Sequence, residues 1–308
     1  MTVALGAIAV ALAPGRAYAH AGRPPEPHDL WTAWSADPAV VVALALSAWL
    51  YARGVHRLWR RAGAGHGIRH LQAWSFAGGW VVLAVALLSP LHRLGSALFS
   101  AHMAQHELLV SVAAPLLVLG HPVIPSLWGV APRWRRSIGG WARTRPVRSV
   151  WRWLTLPLVA FALHSLALWL WHLPAAYQAT LRSDAAHAAQ HASFLATALL
   201  FWWVVLHARG RRSAHGPAVF YLFATVLHTG VLGAVLALAP TVLYPDYAPW
   251  TRAWGLTPLE DQQLGGLIMW MPGGLSYVAA GLALVADWLR ESGRRAERRE
   301  RVTAPAAP

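Results

Sequence analysis

The chain has 308 residues, of which 56% are hydrophobic and only 12% charged, and it carries a formal net charge of +14. A soluble domain carries about twice that share of charge, and the absence of cysteine excludes disulfides, thiolate zinc sites, iron–sulfur clusters and cysteine nucleophiles. Every basic side chain is Arg, and the arginines fall in gaps between apolar runs, which excludes a nucleic-acid-binding surface and fits a multi-span membrane protein.

The first 19 residues form a short apolar stretch ending in Ala17-Tyr18-Ala19, a small-residue cleavage pattern. We expect residues 1–19 to be a signal peptide. Residues 20–37 would then be an exposed N-terminal segment, with His20 at the new terminus and His28 further along.

Seven apolar segments follow, near 38–56, 70–89, 98–119, 151–171, 187–207, 217–239 and 264–289. They predict an all-α, polytopic seven-helix transmembrane domain over 38–290, followed by a basic tail over 291–308. The 120–150 stretch carries Pro122, Pro125 and Pro132 among arginines; it is expected to lie along the surface, either against anionic head groups or, the simpler reading, as a topology anchor and nothing more.

Arginine placement sets the expected orientation. Arg57, Arg60, Arg61 and Arg69 follow the first span, Arg133 to Arg148 the third, Arg209, Arg211 and Arg212 the fifth, and Arg290 to Arg301 the last. The alternate gaps hold only Arg93, Arg182 and Arg252. Positive charge stays inside, so the N-terminus is expected outside and the C-terminus in the cytoplasm.

Two histidine pairs stand out within this frame. His102 and His106 lie in the third span, and His187 and His191 in the fifth. Spacing of i, i+4 puts both rings of a pair on one helix face. On the expected topology both helices enter from outside, with His102 and His106 about 6 and 12 Å along theirs. The fourth span delivers His172 to the same leaflet, and the last span begins there with Glu260, Asp261, Gln262 and Gln263. Ionisable groups inside a membrane-length segment are costly and usually functional. The cluster is therefore a candidate metal site, against the alternative of solvated polar residues at helix ends. That alternative accounts well for His172 and for His92 in the short outer loop.

Imidazole suits copper, zinc, iron and nickel. Met103, Met269 and Met271 lie close in sequence to the candidate residues, and thioether favours Cu(I). Lone mid-span His164 and His228 read as helix–helix hydrogen-bonding groups, the alternative being that they lie with Glu107 along an ion path across the membrane, as a transporter would need. Glu107 would either meet a partner side chain in the bundle or relay protons. No GxSxG, HExxH, phosphate loop or dinucleotide fingerprint is present, and no enzymatic turnover is expected.

The strings AHMAQHELLVSVAAPLLVLGHP, LWLWHLPAAYQATL, HAAQHASF and DQQLGGLIMWMPGG resemble the CtaG-type cytochrome c oxidase assembly factors. The resemblance covers roughly residues 35–290. It implies a multi-pass protein of the bacterial plasma (inner) membrane that matures a haem–copper oxidase, handling or delivering copper. The expected partners are an oxidase subunit, the lipid bilayer and a periplasmic or extracellular copper donor. From depth and chemistry, His102, His106, His187 and His191 are the core ligand candidates, with His172, Asp261 and Met103 secondary. A copper transporter, a haem-binding electron carrier and a scaffold without metal remain as alternatives.

Overall fold

The computed structural model describes residues 24–207 and 215–303. The expected signal peptide, His20, and Arg209, Arg211 and Arg212 lie outside the described residues. The described chain is helical throughout, with no strand. Its helices are α1 (Pro38–Ala62), α2 (His70–Leu88), the short α3 (Pro90–Leu94), α4 (Phe99–Leu119), α5 (Val123–Gly129), α6 (Pro132–Ala142), α7 (Arg145–Leu154), α8 (Pro157–His172), α9 (Pro174–Arg182), α10 (Asp184–His207), α11 (His215–Ala237) and α12 (Pro258–Thr303).

Six of these are long and apolar enough to cross a membrane: α1, α2, α4, α10, α11 and α12. A seventh crossing is formed if α7 and α8 count as one broken span, bent by 68°. The expected continuous fourth span over 151–171 is thus not one helix. Pro157 has no N–H to continue the ladder and restrains Leu156 to an extended backbone, so the chain turns there. The stretch after α4, expected to lie along the surface, folds into the short helices α5, α6 and α7. The last helix runs unbroken through Pro272 to Thr303, so the basic segment after the apolar run continues it.

Helix α4 is the axis of the bundle. Of its most apolar window 61% is buried, against 22–33% in the other single-helix spans. Leu109, Val110, Ala113 and Ala114 of α4 form the main core with Phe76 and Leu83 of α2 and with Phe194, Phe201 and Trp202 of α10. Large apolar side chains face outward elsewhere, among them Val42, Leu71, Leu166, Phe220 and Leu282, as helices in hydrocarbon require. Midway along α4 the backbone is π-helical over Leu108–Ala113. The Trp202 indole donates to Val110 O there (2.9 Å), so a side chain from α10 takes up a carbonyl of the widened turn.

Two glycines allow the closest helix approaches. A Cβ on Gly265 of α12 would strike the Phe99 ring of α4, and one on Gly266 would strike the α11 backbone at Ala237. The LGG sequence therefore lets the start of α12 lie against both helices. At the other end of the bundle, the Arg57 guanidinium donates to Trp128 O, Gly129 O and Val130 O, fixing α5 across α1 through the carbonyls that end α5.

Candidate metal centre

Helices α4 and α10 both begin at the end of the bundle where α8 finishes. The imidazoles of the two pairs meet there. Ring centres of His102 and His106 are 4.4 Å apart, those of His187 and His191 4.3 Å. Across the helices, His102 is 5.1 Å from His187 and 5.6 Å from His191, and His106 is 5.2 Å from His191. His187 Nε2 lies 3.1 Å from His191 Nε2. Two nitrogens on one tetrahedral metal, each about 2.0–2.1 Å from it, would stand about 3.3–3.4 Å apart. The His187 and His191 nitrogens thus stand near the spacing of two ligands on one ion.

Two three-histidine groups place a nitrogen of each ring within 4.8 Å of the others: His102, His106 and His191, and His92, His187 and His191. His191 belongs to both. His92 is buried and stacks on His187 at 5.4 Å, so it is an interior residue rather than the solvated loop histidine expected from its position.

The surroundings separate the two groups. Gln105 Nε2 donates to Ala86 O (2.7 Å) and to His92 Nδ1 (2.9 Å). A carbonyl can only accept, so the amide must present its NH₂ here, and His92 Nδ1 accepts. The proton of a neutral His92 then sits on Nε2. One nitrogen of His92 is thus occupied and the other protonated, which disfavours it as a ligand. His102 is prepared in the opposite sense. The Tyr247 hydroxyl donates its one proton to Gly95 O (3.0 Å), so its oxygen accepts from Tyr177 OH (2.9 Å) and from His102 Nδ1 (3.2 Å). With Nδ1 protonated, the His102 Nε2 lone pair is available to a metal. Burial pushes the Tyr177 and Tyr247 hydroxyls well above the ordinary tyrosine value, so both remain protonated donors.

His106 is 4% exposed, and neither ring nitrogen has a hydrogen-bond partner. Gln190, fully buried between His187 and His191 on α10, also has both amide atoms without one. Buried polar groups are rarely left so, because desolvation goes uncompensated. A cation held by imidazoles would take the lone pair of the unprotonated His106 nitrogen, so the residues present fit a metal.

The remaining expected residues fall around this centre. Asp261 is fully buried but does not join the imidazoles: its carboxylate accepts from Phe99 N (2.6 Å), Ser100 N (3.1 Å) and Ser100 Oγ (2.5 Å). Leu98, the residue before α4, has no side-chain acceptor, so a carboxylate from α12 caps the helix that carries His102 and His106. Gln262 and Gln263 hold the loop between α11 and α12 by bonds to Leu243 N, Thr241 O and Ala239 O. That loop delivers Tyr244 and Tyr247. His172 is buried at 6.3 Å from the His106 ring, with Met103 Sδ 3.4 Å from its Nε2. Met269 is buried beside them, whereas Met271 faces outward.

The mid-span histidines bridge helices. His164 contacts Thr197 Oγ1 at 3.2 Å and Tyr277 OH at 3.4 Å. His228 accepts at Nδ1 from the Trp169 indole (3.3 Å) and meets Ser165 Oγ at Nε2 (2.9 Å). Glu107 meets a partner on its own helix: Ser111 Oγ donates to it at 2.7 Å.

His92, Gln105 and Tyr247 are the contributors the sequence reading undervalued. Gln105 sits beside His106 near the start of a membrane-length helix, and the YPDY string places two aromatic hydroxyls in a loop; both are signals of buried polar contact.

Comparison with known proteins decides the family. Residues 49–291 match the model of the cytochrome c oxidase caa3 assembly factor family, Caa3_CtaG. The chain belongs to this family. It is also 29% identical over 288 residues to uncharacterized proteins of Mycobacterium bovis and Mycobacterium tuberculosis, covering 91% of this chain and 43% of theirs. A Mycobacterium leprae protein, also uncharacterized, is 27% identical over 285 residues, with the same coverage. The chain thus spans less than half the length of these curated relatives. No solved structure matches it. As a member of the Caa3_CtaG family, it is a multi-pass membrane protein of a cytochrome c oxidase assembly group.

Proposed function

We propose that this chain accepts copper at the convergent histidines and passes it to a subunit of a haem–copper oxidase during assembly. One observation carries the reading: four imidazoles from α4 and α10 meet, three of them buried and His191 partly so, with His106 unpartnered at both nitrogens. His102, His106 and His191 are the primary ligands, and His187 is the fourth. Their arrangement suits transfer by ligand exchange, because neutral imidazoles on two separate helices can be released one at a time.

The arginine distribution supports an outer position for this end of the bundle. Copper would then arrive from a donor outside the plasma membrane. The haem-carrier alternative is disfavoured by space. Imidazoles fill the gap between α4 and α10, and the cavity beside them holds about 20 Å³, far too little for a macrocycle. The transporter alternative loses two of its three supporting residues, since His164 and His228 are committed to bonds between helices.

The test is complementation in a host whose oxidase requires this chain. The double variant His102→Ala plus His106→Ala, present in the membrane at normal level, is expected to yield oxidase that lacks copper and activity. Full restoration of both would overturn the copper reading and leave a docking scaffold.

A further inference from the structure

His172 and Met103 meet in a way that needs a third party. His172 Nδ1 lies 2.7 Å from the Leu168 carbonyl, which can only accept, so Nδ1 carries the proton. In the neutral ring Nε2 is then a bare lone pair. It faces Met103 Sδ at 3.4 Å, and a thioether is also an acceptor without a proton. Two lone pairs thus point at each other between side chains that are 5% and 0% exposed. No hydrogen bond can form there. A cation bound by both would turn the contact from unfavourable to favourable.

We propose that His172 Nε2 and Met103 Sδ form a second, softer metal position, selective for Cu(I), one step beyond the histidine cluster. Their separation suits it. A nitrogen about 2.0 Å and a sulfur about 2.3 Å from a shared metal, near the tetrahedral angle, stand about 3.5 Å apart. Imidazole with thioether is a donor set that favours monovalent copper over zinc, nickel or iron. The chain holds the pair firmly. Tyr244 OH donates to His172 O (2.7 Å), and the Trp171 indole donates to Ser193 Oγ (2.8 Å), fixing the end of α8 against its neighbours. Met103 is packed with Phe99, Tyr177 and Met269.

His106 connects the two positions. It belongs to the three-histidine group with His102 and His191, and it lines the cavity of about 20 Å³ that His172 and Met269 also border. A site of that size admits roughly one water-sized occupant. The ion would move from the all-nitrogen position to the mixed one by exchanging His102 and His191 for His172 and Met103 while His106 stays bound. No electron moves; the ion is Cu(I) throughout. This deepens the copper reading above and rests on it.

The chain's sulfur is confined to four methionines, so any sulfur bound to copper is thioether. The experiment loads the purified full chain in detergent with Cu(I) under ascorbate. It measures bound copper by mass spectrometry and the ligand shell by X-ray absorption at the copper edge. Wild type is expected to show sulfur in the shell. Met103→Leu, which conserves volume and so the fold, should lose that sulfur while the one copper ion stays on the histidine cluster with a nitrogen-only shell. Met269→Leu should keep both the copper and its sulfur. Copper bound with nitrogen alone in the wild type would overturn the second position while leaving the histidine cluster standing. Sulfur that persists in a folded Met103→Leu protein would also overturn it. A wild type that binds no copper would overturn the cluster reading as well.

Discussion

His187 Nε2 stands 3.1 Å from His191 Nε2, and His191 belongs to both three-histidine groups while His187 belongs to one. The contact requires one ring to donate and the other to accept, or a cation between them. It also ranks the ligands. His191→Ala removes a member from each group, whereas His92→Ala removes a ring whose nitrogens are already committed. We expect His191→Ala to weaken Cu(I) binding more than tenfold, above the lower bound for losing an outer-shell partner. His92→Ala should cost less. Competition with a chromophoric Cu(I) chelator measures both, and a larger loss for His92→Ala would reverse the assignment.

Tyr247→Phe removes one oxygen and little else. That oxygen accepts from His102 Nδ1 and holds the imidazole in the tautomer that leaves Nε2 for the metal. Loss of such a partner costs about 10–100-fold in metal affinity. The same titration should show that drop with the copper stoichiometry unchanged.

Asp261→Ala acts on the helix and not on the ligands. It strips the cap from the start of α4, where three donors converge on the carboxylate. A lost cap with buried donors left unpaired costs about 1–3 kcal/mol. Thermal unfolding in detergent should fall accordingly, while copper bound per folded molecule stays the same. A loss of copper without a loss of stability would make Asp261 a ligand after all.

The opposite end of the bundle has its own pH dependence. His121 follows α4 with φ 48°, and its ring is 5.2 Å from that of His207. Burial first, then His207 and Arg69, push the His121 imidazole below its ordinary value. The unfolded chain, near 6.5, therefore binds more protons over the interval between the two values. Stability contributed here is complete above about pH 6.5 and is lost as pH falls through the folded value. His121→Asn tolerates the positive φ and carries no titrating group. Its melting temperature should fall less than that of the wild type between pH 7 and pH 5.

The histidine pairs were legible because two local rules coincided. Spacing of four residues fixes a shared helix face, and arginine counting assigns both helices the same entry side. Their contact in the structure, His102 to His187 and His106 to His191, agrees with that common entry. What the sequence could not carry was set by contacts distant along the chain. Asp261 reads as a carboxylate near a metal site, but its partners are backbone N–H groups more than 160 residues away. His92 reads as a loop residue, and the packing of α3 against α4 and of its ring on His187 of α10 makes it an interior one. The break between α7 and α8 falls at Pro157, a single residue inside an apolar run that by length and composition reads as one span. The tautomer of His102 depends on a tyrosine from the loop between α11 and α12, a relation that no local pattern encodes.

The central claim is that the imidazoles of α4 and α10 bind copper. Metal analysis of the purified full chain beside the quadruple variant His102→Ala, His106→Ala, His187→Ala and His191→Ala tests it most directly. After equal exposure to Cu(I) and removal of free metal, the wild type should retain copper and a folded quadruple variant should retain almost none at the cluster. Equal copper in the two proteins, or none in the wild type, would contradict the account.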